Sequence, residues 1–293
     1  MKEEVNRRRA TQVVEGCRSK IALSLFFIFF LGAINLSQGQ CLQDARVLTP
    51  GEKVQFDVYF KWGILMTKGG GASITVREGS YEGAPAWNNE LLLWTTGMID
   101  KVFSIRDTIE NHITKENQRL LFSTKRSDEG GYYQIDNLTY SYKGEETHVH
   151  AFRRNRTRIK ADTTLIGGNC TLDILGALFY ARSFDWNQME LSQQYHLQVA
   201  MGKTVIPISY RYEGQRIVER DNIKYSTRYF IIDIFDDAFT QSKEAMEIWI
   251  GDDPNHLPVK VRAKLKLGAM EAYYNSSENL RYPLTCRIEV PKK

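Results

Sequence analysis

The chain has 293 residues, 42% of them hydrophobic and 12% aromatic, with a formal net charge of +4. The first 39 residues hold six basic and three acidic side chains, which leaves 33 against 32 in the rest. That near balance implies no basic surface for nucleic acid, and the remaining length, about 254 residues, suits one large all-β domain or two small ones.

The chain opens with a basic stretch (Arg7, Arg8, Arg9, Arg18, Lys20) that runs into an apolar block, Ile21 to Leu36, and ends in Ser37-Gln38-Gly39. This order predicts a secretory signal over residues 1–39, cut ahead of Gln40. The block is about 16 residues long, short of the ~20 that a membrane-spanning helix needs. No second such stretch follows, so no membrane span is expected after cleavage. An uncleaved N-terminal anchor is the competing reading. Cys41 follows Gln40 rather than a small residue, which favours a free protein over a lipid-anchored one. The expected location is the periplasm or the outer-membrane periphery. Cys41, Cys170 and Cys286 remain after cleavage, enough for one disulfide with one thiol left over. Spacing does not set the pairing, and buried unpaired thiols are an equal alternative.

From Val54 the pattern alternates. Val54, Phe56, Val58, Phe60 and Trp62 share one face, as in a half-buried strand. Gly69-Gly70-Gly71 is expected to turn the chain into a second strand over 72–76, and a third follows over 87–96. A short helical link is expected over 98–103. Strands then follow over 106–114, 120–126, 132–142 and 148–153, separated by Gly, Asp and Asn turns. From Thr171 to Phe184, Leu172, Leu175, Leu178 and Phe179 recur at spacings of three and four. Thr171 is placed to cap a helix there, with its apolar face packed on the sheet. Strands resume over 195–201, 205–212, 225–235, 245–250 and 258–267. The expected domain, residues 45–290, is mainly β: one large curved antiparallel sheet or half-barrel of about a dozen strands, with one main helix over about 171–184.

No motif names a reaction. There is no G-x-S-x-G elbow and no H-E-x-x-H pair. Gly202-Lys203-Thr204 reads as a hairpin turn rather than a phosphate loop. His148 and His150 lie two apart on a strand and could face one ion, but a third ligand is lacking nearby. Asp233, Asp236 and Asp237 form a carboxylate run that reads as a solvated turn before it reads as an acid–base pair. Arg106 and Asp107 face opposite sides of their strand, so each must seek a partner elsewhere. No catalytic residue, metal site or cofactor is assigned.

Several pieces taken together point to a family. They are Leu48-Thr49-Pro50-Gly51-Glu52-Lys53-Val54-Gln55-Phe56-Asp57-Val58, then Gly70-Gly71-Ala72, then Phe103-Ser104-Ile105-Arg106-Asp107. Tyr180-Ala181-Arg182-Ser183-Phe184 and Asp253-Pro254-Asn255-His256-Leu257-Pro258-Val259-Lys260-Val261 follow. Their order over residues 45 to 285 resembles the bacterial domain of unknown function 3108 family, in its Bacteroides-type branch. The resemblance implies an exported envelope protein without an established activity. By fold analogy it is similar to the curved sheets of the lipoprotein-carrier (LolA/LolB-like) group, where a helix plugs the concave face.

The function expected is non-enzymatic binding of an apolar or amphipathic envelope ligand, such as a lipid, in the concavity. A concavity filled by core side chains would remove that reading. The alternatives are a carbohydrate-binding or carbohydrate-processing protein, with Trp87, Trp94 or Trp249 exposed beside paired carboxylates, and a scaffold with an exposed edge strand and no small ligand.

Overall fold

The alternation that starts at Val54 builds the first strand, β1 (Lys53–Trp62), in the computed structural model, which describes residues 47–235, 244–265 and 268–288. The expected signal, the Gln40–Cys41 junction, Asp236 and Asp237 lie outside the described residues. Val54, Phe56, Val58 and Phe60 are buried on the inner face. After β1 come β2 (Leu65–Tyr81), β3 (Ala84–Thr95), a short helix α1 (Gly97–Val102), β4 (Arg106–Thr114), β5 (Leu120–Glu129), β6 (Tyr132–Lys143), β7 (Glu146–Asn155) and β8 (Ile159–Gly167). Each of these strands pairs antiparallel with its predecessor.

Next come a two-residue strand, β9 (Thr171–Leu172), and the main helix, α2 (Ile174–Arg182). The chain then forms β10 (Gln194–Met201), β11 (Thr204–Arg220), β12 (Ile223–Ile234), β13 (Met246–Gly251), β14 (Pro258–Lys264), β15 (Ala269–Glu278) and β16 (Arg287–Ile288). The strand order is β8-β7-β6-β5-β4-β3-β2-β1-β15-β14-β13-β12-β11-β10-β9, with β16 beside β12. Two meanders therefore meet where β1 pairs with β15. The fold is mainly β, a single nearly closed, barrel-like sheet.

The seam lies between β8 and the β9–β10 edge. It is held by side chains rather than by a ladder. The Gly168 amide donates to Gln198 Oε1 at 2.7 Å, and the Thr171 and Thr147 hydroxyls donate to the Gly168 carbonyl at 2.8 and 2.9 Å. β9 runs parallel to β10. A parallel pair needs a long crossover, and α2 supplies it from inside the barrel.

The helix differs from its expected form in two respects. Its cap is Asp173, whose Oδ1 accepts from the Gly176 amide at 2.7 Å, while Thr171 belongs to β9. Asp173 wins because the seam already engages the Thr171 hydroxyl. Nor does the helix show one apolar face to a sheet. Leu175, Ala177, Phe179, Tyr180, Ala181 and Arg182 are all buried, so the sheet surrounds it. The Tyr210 hydroxyl donates to the Ala177 carbonyl at 2.9 Å, and Phe184 stacks on Tyr195 with centroids 4.2 Å apart. Burying side chains such as Leu175 and Phe179 contributes about 1.5–3 kcal/mol each. The helix is a plug.

Gly69, Gly70 and Gly71 form no turn. They lie inside β2, and the turn falls earlier, at Gly63 with φ +57°. Their purpose is close approach. A Cβ on Gly70 would stand 2.1 Å from the Trp94 carbonyl, and one on Gly71 would stand 2.6 Å from the Trp94 ring.

Candidate functional site

The two ends of the barrel differ. The C-terminus of α2 points to the end where β1 begins, and Arg182 lies there against Glu52. Its N-terminus stops near the middle, under the end where β1 finishes and β2 begins. The first end is plugged. At the second a narrow cleft, with about 10 Å³ of free volume, enters between the strands.

Strand alternation builds this cleft. Ile109 of β4 pairs with Lys125 of β5, Lys125 with Asp136 of β6, and Asp136 with Arg153 of β7, so these side chains form one inward row. The next row toward the plug is Asn111, Ser123 and Leu138. Lys125, Asp136, Leu138 and Ser123 line the cleft, Asp173 and Ile174 floor it, and Met201 and Gly202 cover one side. Gly202 adopts φ +64° at the β10–β11 turn, where a Cβ would stand 1.8 Å from the Arg153 guanidinium. The Gly202-Lys203-Thr204 hairpin reading therefore agrees with the structure.

The electrostatics of the cleft are uneven. Arg153 grips Asp136 with two bonds, 2.5 and 2.8 Å. Lys125 lies 3.6 Å from Asp107, too long for a direct hydrogen bond, and so retains donors. The Ser127 hydroxyl donates to Asp107 Oδ2 at 3.2 Å, while Asp107 Oδ1 is buried without a partner among the described residues. Glu129 is held above the usual carboxylate range by burial and then by the charge of Asp107, with Lys125 opposing.

Asp173 is the most constrained group. Its Oδ1 accepts from Gly176 and from Asn111 Nδ2 at 2.9 Å, and Asn89 Nδ2 donates to Asn111 Oδ1 at 2.9 Å. Its Oδ2 is buried and meets no hydrogen-bond partner among the described residues. Burial raises its pKa, and Asn111, the Gly176 amide and Ser123 oppose that rise without cancelling it.

The residues singled out in the sequence lie elsewhere. His148 and His150 do share a face of β7, but each meets a carboxylate: Glu146 at 2.9 Å and Asp162 at 2.8 Å. No cluster of three metal-ligating side chains occurs among the described residues. Asp233 is buried, accepting from Arg211 at 3.1 Å and from the Glu244 amide at 2.7 Å. Arg106 pairs with Asp100 at 2.8 and 3.0 Å. Asp253 caps the Asp252–Asn255 turn, accepting from the Asn255 amide at 2.9 Å.

Trp87, Trp94 and Trp249 share no groove. Trp87 lies under the Lys115 ammonium, Trp94 packs on Gly71, and Trp249 stacks on Tyr229 with Lys260 above it. Cys170 is disulfide-bonded, while Cys286 is free and buried. Sequence reading missed Asp173, Lys125 and Asp136 because each looks like an ordinary polar residue. Only the register brings them together.

The fold has a counterpart among solved structures. The chain is similar to a β-barrel-like protein of the domain of unknown function DUF1849 from Brucella abortus, with a TM-score of 0.54 at 9% identity, over 79% of this chain and 98% of that one. At that identity the likeness concerns the fold alone. No curated protein matches the chain. The family model described as a protein of unknown function (DUF3108) matches residues 55–274, most of the described barrel. The chain belongs to the DUF3108 family of proteins of unknown function.

Proposed function

We propose that this is an exported, non-enzymatic cell-envelope protein that holds the polar group of an amphipathic molecule in the open-end cleft. The observation that carries this reading is Asp173 Oδ2, buried at the cleft floor without a partner among the described residues. An unpartnered buried acceptor costs about 1–3 kcal/mol, and a ligand donor reaching it recovers part of that cost. Asp107 Oδ1 beside the cleft stands in the same position, and Lys125 offers donors. The group that fits has donors and acceptors together, as a zwitterionic or hydroxyl-rich headgroup does.

Volume decides where the rest of the molecule goes. The free volume, about 10 Å³, is room for roughly one water and far below the ~300–1,000 Å³ typical of small-molecule sites, so only the tip of a polar group enters. With α2 filling the barrel below, an apolar tail stays outside. Core side chains and α2 fill the concavity, which removes the expectation of an apolar or amphipathic ligand inside it and leaves an amphipathic one held at the mouth by its head. Export rests on the pattern of residues 1–39 and on the Cys170 disulfide, a bond that persists in oxidising compartments. Native mass spectrometry of the purified full chain, followed by solvent extraction, tests the reading. An amphipathic mass should co-purify, and a bare protein mass in repeated preparations would contradict it.

A further inference from the structure

The open end carries a second feature, independent of the cleft. Ile64 is 99% exposed, Val102 87%, Met98 79% and Leu65 66%, with Trp62 and Phe103 also exposed. Side chains of this size rarely stand so far into water without a partner. All six sit at one end, on the β1–β2 turn with the strand ends beside it, on α1, and on Phe103 just after α1.

Contacts make them one belt. Ile99 of α1 and Phe60 of β1 both pack over Gly69, where a Cβ would stand 2.5 and 2.8 Å from them. Phe60 stacks with Trp62, centroids 6.0 Å apart. On the other side Phe103 reaches Gly130 in the β5–β6 turn, and the Gly130 amide donates to the Ser104 carbonyl at 2.8 Å.

The belt continues into positive charge. The β7–β8 turn with the strand ends that flank it reads Arg153-Arg154-Asn155-Arg156-Thr157-Arg158-Ile159-Lys160, with five basic residues and no acidic one. Arg153 is engaged by Asp136, and Arg156 meets Asp128 at 3.5 Å and lies over the Tyr133 ring. Arg154, Arg158, Ile159 and Lys160 are exposed.

We infer that this end docks on the surface of an anionic phospholipid bilayer, with Ile64, Leu65, Met98 and Val102 entering the interface and the β7–β8 turn facing the headgroups. Apolar tips beside a basic segment match the two attractions that hold interfacial proteins. A second copy of the chain fits less well, because two such ends would bring their basic turns together. The inference rests on the rim and not on the cleft, so either can fail alone. Together they place the cleft mouth at a membrane, where amphipathic molecules reside.

The test uses the full chain with vesicles of phosphatidylcholine and phosphatidylglycerol in equal parts, the lipid tails brominated. Bromine quenches indole fluorescence only at contact depth. The signal assigned to Trp62 is the difference from Trp62→Phe, which isolates the rim from the N-terminal apolar segment. Quenching of Trp62 is expected, at least about tenfold weaker in partitioning for Ile64→Asp/Val102→Asp. Arg158→Glu/Lys160→Glu should weaken it about tenfold or more, only when phosphatidylglycerol is present. Both pairs are exposed, so the fold does not depend on them. Absence of Trp62 quenching, or equal quenching in Ile64→Asp/Val102→Asp, overturns the inference. So does a wild-type dimer that this variant dissociates while vesicles leave Trp62 unquenched.

Discussion

Arg182 and Glu52 stand 130 positions apart and form a two-pronged ion pair, 2.7 and 3.0 Å, with both side chains only 2% exposed. Arg182 also donates to the Asn255 carbonyl at 3.2 Å, and its own carbonyl accepts from His256 Nδ1 at 2.6 Å. Three pieces of the family resemblance therefore meet at one place: Gly51-Glu52, Tyr180–Phe184 and Asp253–Val261. The meeting point locks the end of the helical plug to the rim of the barrel. It is a structural lock at the end of the barrel opposite the cleft.

A buried pair of this kind is costly to break and inexpensive to replace. Glu52→Gln should destabilise the protein by about 3–5 kcal/mol by leaving Arg182 without its counter-charge. The double variant Glu52→Leu/Arg182→Met should recover most of that loss. Urea unfolding with linear extrapolation measures both. Equal losses in the single and double variants would show that the charges themselves are not what holds the plug.

The pH dependence of Asp173 has a definite sign. Burial holds its carboxyl above the ordinary range, so the folded state binds this proton more tightly than the unfolded state. Its contribution is fully present below the unfolded value, near pH 4, and is lost as pH rises through the folded value. Asp173→Asn keeps the cap and the Asn111 bond while removing the charge. At pH 7 it should match wild type or exceed it by about 1 kcal/mol, with the gap closing in acid. Thermal melts across pH check this, and a variant much less stable at pH 7 would contradict it.

The glycines of β2 should respond differently from the turn glycine before them. Gly70→Ala drives a Cβ into the Trp94 carbonyl, which cannot move without breaking the β2–β3 ladder. A loss of about 3 kcal/mol or more is expected. At Gly63 nothing lies within 4 Å of the added carbon. Gly63→Ala therefore loses only about 1 kcal/mol, from its positive φ. Denaturant midpoints of the two variants should rank in that order.

Cys286 should be chemically silent while the protein is folded. Burial raises its thiol pKa well above the ordinary value, and the Asp253 carboxylate raises it further. Reaction needs the thiolate. Iodoacetamide at mildly alkaline pH should leave Cys286 unmodified in native protein and label it as urea unfolds the chain. Peptide mapping reads this, and rapid native labelling would contradict the burial.

Much of the fold was legible in the sequence. Alternation placed β1 and turn signals placed β4 and β6 within a residue or two, and the spacing over 171–184 found the main buried helix. The errors have physical causes. β8 was missed because it is an edge strand whose residues are mostly exposed, so no alternation marks it. β15, the partner of β1, was missed because its inner residues Met270 and Ala272 are only half-buried, while the buried Glu271, on the outer face between Lys260 and Arg262, looks like surface. The candidate cleft was not legible at all. Lys125, Asp136 and Asp173 are polar residues in unrelated segments, and their meeting depends on register and on a helix turning back inside the barrel.

The most direct test compares four forms by native mass spectrometry after identical purification: wild type, Lys125→Ala, Asp173→Asn, and Ile217→Ser, an exposed position remote from the cleft. An amphipathic mass is expected on wild type and on Ile217→Ser, and should be absent from Lys125→Ala and Asp173→Asn. The same mass on all four forms would place the ligand elsewhere, and a bare mass on wild type would remove the cleft as a binding site.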